Sequence, residues 1–162
     1  MAETLSVTDM LPNKFEPKRK FRWVFAIEGI DSFLMKTANR PSITTEEQAI
    51  PFINHTRYIA GKTTFEQLSV TLHDPIAPSG AQQVMEWVRT HFESVSGRAG
   101  YADFYKRDCQ LKLLDPVGTV VELWDIKGAF LTAASFGDLD YGAGDPTEIS
   151  LTLRYDNCVL QY

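Results

Sequence analysis

The last strongly patterned segment of this 162-residue chain alternates apolar and polar side chains with a period of two. Every second position is apolar, at Ile149, Leu151, Leu153 and Tyr155. A β-strand points successive side chains to opposite faces of a sheet, so this alternation predicts a strand with one buried face. The same pattern recurs over 68–72. Strands with one polar face belong in a sheet covered on one side, which favours an antiparallel architecture.

Shorter signals extend this pattern to most of the chain. Turn residues separate further alternating or apolar segments, which predict strands at 21–28, 33–37, 109–113 and 120–128. The fold class we expect is therefore mainly β, an antiparallel β-sandwich or partial barrel.

One helix is predicted at about 79–94, on the flank of the sheets. Ser79 and Gln82 match a capping box directly after two prolines. The stripe that would face the core is Val84, Trp87, Val88, His91 and Phe92, at spacings of three and four.

Composition places the chain among globular proteins with one domain. A length of 162 residues, with 44% hydrophobic and 23% charged residues, suffices for a single core. We expect a flexible N-terminal arm at 1–20 and one β domain at 21–162.

No apolar run approaches the roughly 20 residues of a membrane span, and we expect no signal peptide and synthesis in the cytoplasm. The net charge of −5 argues against tight wrapping of nucleic acid, which depends on Lys and Arg.

A long connection at about 46–64 combines turn residues with apolar side chains. Its apolar-tipped part contains Ile50, Pro51, Phe52, Ile53, His55, Tyr58 and Ile59. Loops of an isolated domain are normally polar, so exposed apolar side chains here predict contact with a partner. The alternative is an ordinary hairpin that folds back onto its own domain.

Residues suited to catalysis or metal binding do not form a recognisable motif. The three histidines, His55, His73 and His91, are far apart, and phosphate-loop, dinucleotide and nucleophile-elbow motifs are absent from the sequence. The acidic residues near Gly137 lack the spacing of a calcium-binding loop, so we interpret them as a solvated loop. We therefore predict no catalytic site, no cofactor and no metal.

The two cysteines, Cys109 and Cys158, form no CxxC pair. The simpler interpretation is two reduced, partly buried thiols. The alternative is a disulfide between neighbouring subunits, formed after an assembled particle leaves the cell.

An ordered set of landmarks from about 21 to 158 is similar to the tail tube proteins of contractile-tailed bacteriophages. The first landmarks are Phe25-Ala26-Ile27-Glu28-Gly29, Phe33, Lys36, Thr37, Ala38, Pro41, Ile50-Pro51-Phe52, Asn54, Tyr58, Ala60-Gly61 and Thr64-Phe65-Glu66. The later ones are Ser69-Val70-Thr71-Leu72, Asp74, Trp87, Glu122, Ile126-Lys127-Gly128, Leu139-Asp140, Glu148, Ser150-Leu151-Thr152-Leu153 and Tyr155-Asp156. Their order and spacing, more than any single motif, carry the resemblance.

The resemblance implies a structural subunit rather than an enzyme. Such proteins form six-fold rings that stack into a hollow tube, and here the connection at 46–64 would reach the adjacent ring. The implied partners are further copies of the chain, the tail sheath protein, and the baseplate and tail terminator proteins. Genomic DNA would pass through the lumen without specific binding. The implied location is the tail of the virion, after assembly in the host cytoplasm.

The outward faces of two predicted strands are candidates for the lumen wall. They carry Gln67, Ser69, Thr71, Glu148, Ser150 and Thr152. A polar, net-negative lining would let DNA slide without adhering. These faces could instead meet sheath or solvent. The cations at 18–22 could pair with a neighbouring ring, although a solvated cluster is the simpler interpretation.

Other functions fit parts of the pattern. Tube proteins of type VI secretion systems and of R-type pyocin-like particles share the implied architecture. A monomeric ligand-binding β-barrel would line its cavity with Trp23, Phe25, Trp124 and Phe130. An enzyme using His73 with Asp74 or Asp140 fits less well, because His73 and Asp74 are neighbours that would point to opposite faces of a strand.

Overall fold

The computed structural model describes residues 6–7 and 14–162 of the chain, so part of the predicted flexible N-terminal segment at 1–20 lies outside the described residues. The strands are β1 (Trp23–Ile27), β2 (Met35–Ala38), β3 (Ile43–Phe52), β4 (His55–Phe65), β5 (Leu68–His73), β6 (Arg107–Leu114), β7 (Val120–Ser135), β8 (Glu148–Arg154) and β9 (Asn157–Leu160). The helices are α1 (Gly80–His91) and α2 (Ala102–Tyr105), and a 3-10 turn spans Ser32–Leu34.

Strand β7 joins two layers of antiparallel strands. Its first half pairs with β6 on one side and β9 on the other, and β1 extends this layer beyond β6. Its second half pairs with β8, which continues through β5 to β2. Within the described residues β1 and β2 end this path of strands, so the sheet does not close into a barrel. The predicted antiparallel sandwich with a flanking helix is confirmed.

A bulge at Gly128 lets β7 pass from one layer to the other. Two residues of β7, Lys127 and Gly128, stand opposite the single residue Asp108 of β6. Gly128 has φ of 68°, a conformation that side chains disfavour, and an added Cβ would lie 2.3 Å from Oδ2 of Asp156. The Asp108 carboxylate accepts hydrogen bonds from Gly128 N at 3.2 Å and Lys127 Nζ at 3.0 Å.

The core fills the space between the two layers. The residues predicted to face inward on β5 and β8 are all buried: Leu68, Val70, Leu72, Ile149, Leu151 and Leu153. Full burial of such a side chain contributes about 1.5–3 kcal/mol relative to exposure. Trp87 of α1 packs against this core, and its Nε1 donates a hydrogen bond to the Tyr105 carbonyl at 2.7 Å.

Helix α1 begins as predicted and ends earlier than predicted. Gln82 N donates to Ser79 Oγ at 3.4 Å, and Ala81 N donates to Asp74 Oδ1 at 3.1 Å, so two side chains cap the N-terminus. The helix ends at His91 because Phe92 adopts an extended conformation. The predicted stripe is therefore wrong at its last two positions, where both side chains are exposed.

One buried carboxylate ties three distant segments together at one end of the sandwich. Glu122 on β7 is only 2% exposed. It accepts a hydrogen bond from Lys18, forms an ion pair with Arg40 at 2.8 Å, and accepts from Trp124 Nε1 at 2.5 Å. Lys18 therefore has a partner within its own subunit, which corrects the interpretation of that residue as solvated or paired with a neighbouring ring.

These contacts also determine the ionisation of Glu122. Burial alone would raise the pKa of its carboxyl, but the hydrogen bonds from Lys18 and Trp124 and the charge of Arg40 outweigh burial. The pKa is lowered from its ordinary value of 4.5. Glu122 therefore stays ionised at neutral pH and holds both cations.

Replacement of Gly128 should test the bulge. We expect Gly128→Ala to lower the free energy of unfolding by about 1–3 kcal/mol, because Ala is strained at this φ and collides with Asp156. Gly144→Ala is the matched control, since nothing lies within 4 Å of the added Cβ, and should change stability by less than about 0.5 kcal/mol. Urea denaturation measures both, and equal midpoints for the two variants would contradict this account.

Replacement of Glu122 should have a pH-dependent effect. A lowered folded-state pKa stabilises the protein above about pH 4.5, and this stabilisation is lost as the pH falls through the folded pKa. We expect Glu122→Gln to lower the free energy of unfolding by about 1–3 kcal/mol at pH 7, because Lys18 and Arg40 are half-exposed and partly solvated.

The difference in the free energy of unfolding between Glu122→Gln and wild type should become smaller when urea denaturation is repeated near pH 3. Glu148→Gln is the control, because the ion pair of Glu148 with Lys36 is more exposed and contributes less than about 1 kcal/mol. If Glu122→Gln lowers the free energy of unfolding by the same amount at both pH values, the ion pairs of Glu122 do not stabilise the protein.

Candidate assembly interface

Strands β3 and β4 form a two-stranded sheet of their own, here called the arm (Ile43–Phe65). Nine pairs of residues join the two strands, and a rise of about 3.4 Å per residue gives the arm a length of about 30 Å. Every residue of β3 is exposed, so the arm does not fold back onto its own domain. The segment predicted as a long loop at 46–64 is therefore a regular hairpin. At its base the rings of Phe65 and Tyr155 pack together, with 5.8 Å between their centroids.

A bulge bends the arm near its middle. Gly61 and Lys62 of β4 stand opposite Glu46 alone. An added Cβ at Gly61 would lie 3.0 Å from the Glu46 carbonyl oxygen, so this close approach of two backbones favours glycine. Bulges increase local twist and redirect a strand, so Gly61 sets the direction of the outer half of the arm.

Both faces of the outer half of the arm carry apolar side chains. Residues paired directly across an antiparallel ladder share a face. One face carries Ile50, Phe52 and Ile59 together with Gln48, His55 and Arg57, and the other carries Ala49, Pro51 and Tyr58 together with Thr56. An isolated two-stranded hairpin is at best marginally stable in water. The arm therefore has the properties of a segment that is completed by burial against other chains.

The turn at the arm tip keeps an apolar residue in an unfavourable conformation. Ile53 has φ of 51° and is 87% exposed. Hairpin turns normally place Gly or Asn at such a position, and a β-branched residue there costs about 1–2 kcal/mol. Within its own subunit this side chain buries almost no surface that could offset the strain.

The polar faces of β5 and β8 form one continuous outer surface, here called the hydroxyl face. Ser69 lies opposite Thr152, Thr71 opposite Ser150, and His73 opposite Glu148. Strands β2 and β7 add Thr37 and Ser135 on either side. The structure thus brings together five of the six residues predicted for the lumen. The sixth, Gln67, lies in the link between β4 and β5, outside the ladder.

The outer face of the other layer differs in chemistry. The Asp125 carboxylate accepts hydrogen bonds from Gln110 at 2.9 Å and Gln161 at 2.8 Å. Lys127 is paired with Asp108 on the same surface. This face presents fixed amide and charged groups, whereas the hydroxyl face is built mainly from Ser and Thr.

The two thiols lie inside the sandwich. Cys109 is 1% exposed and Cys158 is 7% exposed, and both flank Ile126 in the ladder. Burial raises the pKa of the Cys109 thiol to about 12 and also raises that of Cys158. The structure favours two reduced, inert thiols over the alternative of a bridge between subunits, because neither sulfur is presented at the surface.

The alternative of a ligand-binding barrel does not match the observed interior. Phe25 is part of the packed core, and Trp23 and Trp124 pack against it. The enzyme alternative also lacks geometric support, because the Asp74 carboxylate caps α1. Across the described residues no group of three or more His, Cys, Asp or Glu could hold a metal ion. None of the described helices has the length and apolarity required to cross a membrane.

Comparisons with known proteins support the fold through structure rather than sequence. No protein-family model and no curated protein matches the chain. Among solved structures, a chain of the anti-feeding prophage cap (AFP tube terminating cap) is similar with a TM-score of 0.75 and 15% identity, over 97% of this chain and 99% of that one. A chain of the six-fold symmetrised anti-feeding prophage baseplate has a TM-score of 0.69 and 17% identity, over 91% and 97%.

A third similar structure contains both a tube and a sheath. A chain of the sheath-tube complex of an extracellular contractile injection system (PVC), in its extended state, has a TM-score of 0.68 and 15% identity, over 98% of this chain and 99% of that one. Similarity at this level of identity concerns the fold. The resemblance to tube proteins of contractile particles is therefore confirmed for the fold, which spans nearly the whole chain.

Proposed function

We propose that this chain is a structural subunit that assembles into stacked six-fold rings, forming the hollow tube of a contractile particle. The observation that carries the proposal is the arm, an exposed hairpin with apolar side chains on both faces and a strained apolar tip. Burial of the arm against adjacent subunits would remove its apolar surface from water and offset the strain at Ile53.

Free strand edges support closure into a ring. In the described residues β1 and β2 each lack a ladder partner on one side, and so does the second half of β7. Unpaired N–H and C=O groups at such edges recruit other chains. Heterologous pairing of edges generates a ring when the rotation between subunits closes, and closure removes the exposed edges.

The hydroxyl face is our candidate for the lumen wall. Its central Ser and Thr side chains are neutral, the cation Lys36 beside it is paired with Glu148, and the cation Arg154 lies at its end. A polyanion moving along such a wall meets few fixed positive charges that would hold it.

Two cargoes suit such a conduit, and they define two candidate particles. The first is a bacteriophage tail that ejects DNA, as the sequence landmarks suggest. The second is an injection particle that delivers another cargo, which is favoured by similarity to a chain of an extracellular contractile injection system. Electron microscopy of particles isolated from the producing cells distinguishes them, because only the first carries a DNA-filled capsid. In either particle the partners would be sheath, baseplate and terminator proteins.

Disruption of the arm tip should block tube growth while leaving the subunit folded. We expect wild type to form rings or tubes with six-fold end views in negative-stain electron microscopy as its concentration is raised. Phe52→Ser combined with Ile53→Ser removes apolar contact area and should lower the fraction of protein in tubes at least tenfold. A strictly monomeric wild type at every concentration, including with sheath and baseplate proteins added, would overturn the proposed function.

The control for the arm-tip variant is Ile76→Ser, which replaces a fully exposed apolar residue outside the arm. We expect it to form tubes like wild type, and circular dichroism should show native folding for both variants. Normal tubes from the arm-tip variant would remove the arm from ring stacking.

Labelling of an engineered cysteine should locate the hydroxyl face in assembled tubes. Ser150→Cys places an exposed thiol on this face, and the two native thiols are buried and give little background. In sealed or capped tubes we expect a maleimide attached to a large polymer to react at least tenfold more slowly with Cys at this position than in the free subunit. Equal rates would place the hydroxyl face outside the lumen. Lys112→Cys, on the other outer face, provides the comparison.

A further inference from the structure

An open cleft of about 650 Å³ lies at the end of the sandwich from which the arm leaves. We call it the basic cleft. Its rim carries Lys18, Arg19, Lys20 and Arg40, and its apolar wall includes Trp23 and Leu113. Ser42 also lines the cleft and directly precedes β3, so the cleft and the base of the arm are adjacent.

The cleft has more positive charge than its own subunit neutralises. Glu122 balances only one of the two cations, Lys18 and Arg40, that contact it. In the described part of the chain Arg19 and Lys20 form no ion pair, and both side chains are exposed. A surface with excess charge beside an apolar wall suits an acidic segment that also carries apolar side chains.

The segment of this chain with that composition is the link between β7 and β8, here called the acidic loop (136–147). It contains three aspartates, Asp138, Asp140 and Asp145, and no Lys or Arg. Leu139 and Tyr141 project from it and are almost fully exposed. Asp140 is used within the loop, because its Oδ1 accepts a hydrogen bond from Gly142 N at 2.9 Å.

The basic cleft runs along β2 and reaches the start of β8. Asn39, in the wall of the cleft, donates its backbone N–H to the Ser69 carbonyl near the start of β5. Lys36, which also lines the cleft, pairs with Glu148, the residue that directly follows the acidic loop. Leu139 and Tyr141 are nevertheless almost fully exposed, so the acidic loop does not fill the cleft of its own subunit. The cleft is therefore open to the acidic loop of another copy.

We propose that the basic cleft of one subunit binds the acidic loop of a second copy of this chain. Arg19 and Lys20 pair with Asp138 and Asp145, while Leu139 and Tyr141 pack against the apolar wall at Trp23. This inference rests on the proposed self-assembly and adds to it a specific contact, which the arm alone does not specify. The contact is heterologous, so it repeats from subunit to subunit instead of closing a dimer.

Charge exchange tests the pairing. One variant carries Arg19→Glu with Lys20→Glu, a second carries Asp138→Lys with Asp145→Lys, and a third combines all four substitutions. Asp140 is left unchanged because it stabilises the loop. We expect each double variant to lower the sedimentable tube fraction at least tenfold through like-charge contacts, and the four-fold variant to restore it to within about threefold of wild type.

A matched control keeps charge reversal separate from net charge. Arg89→Glu with Arg98→Glu changes the net charge by the same amount as Arg19→Glu with Lys20→Glu, at two exposed residues outside both surfaces, and should assemble like wild type. Thermal melting followed by circular dichroism checks that all variants fold.

Chemical crosslinking gives a second readout. A single chain with Lys20→Cys and Asp138→Cys is treated with a short bismaleimide during assembly. Head-to-tail contact predicts a ladder of multimers on a reducing gel, with no ladder from either single-cysteine variant. A product that stops at dimer would contradict the heterologous geometry.

The outcomes separate this inference from the proposed function. Wild-type tubes together with normal assembly of both double variants would overturn the inference and leave the tube function standing. Loss of assembly in one or both double variants without rescue in the four-fold variant would also overturn it, because the cleft and loop would then bind different partners. A wild type that never assembles would overturn the proposed function itself.

Discussion

The architecture depends on a single strand that belongs to both layers of the sandwich. Strand β7 can pair with β6 and β9 along its first half and with β8 along its second half only because the backbone bends at Gly128. The bend brings the inner faces of the two layers against each other, and the apolar residues of β5 and β8 then share one core with those of β6. Glu122, near the start of the same strand, binds Lys18 and Arg40 and so fixes the two segments that border the basic cleft.

The core reaches only the base of the arm, at Phe65, and this division separates folding from assembly. The sandwich buries its apolar residues within one subunit, whereas the arm exposes apolar side chains on both faces. A subunit of this kind can fold as a monomer and still gain substantial free energy on association, since the apolar surface of the arm is removed from water only then. The strain at Ile53 fits the same division, because a side chain that is 87% exposed in the monomer is retained in an unfavourable backbone conformation.

Sequence patterns predicted those elements whose burial is regular and one-sided. Strands β5 and β8 were predicted because each has one buried and one polar face, and the start of α1 because Ser79 caps it. Strand β9 was missed because Val159 and Leu160 are both partly exposed, which breaks the alternation. The arm was predicted as a loop because Pro51 and the mixture of apolar and polar side chains around it break the alternation of a one-sided strand. Glu122 could not be recognised as a junction, since Lys18 is 104 residues away and only the folded chain joins them.

The placement of the surfaces determines how a polymer of this subunit would grow. The basic cleft and the acidic loop are separate surfaces of one subunit, so a contact that joins them would leave one of each free in every added layer. Such a heterologous contact is the same in every layer, so it cannot limit the length of the tube. Growth would stop only when another protein covers the exposed end. A tube built from this chain thus requires a separate component to define its length, and the subunit itself defines only diameter and polarity.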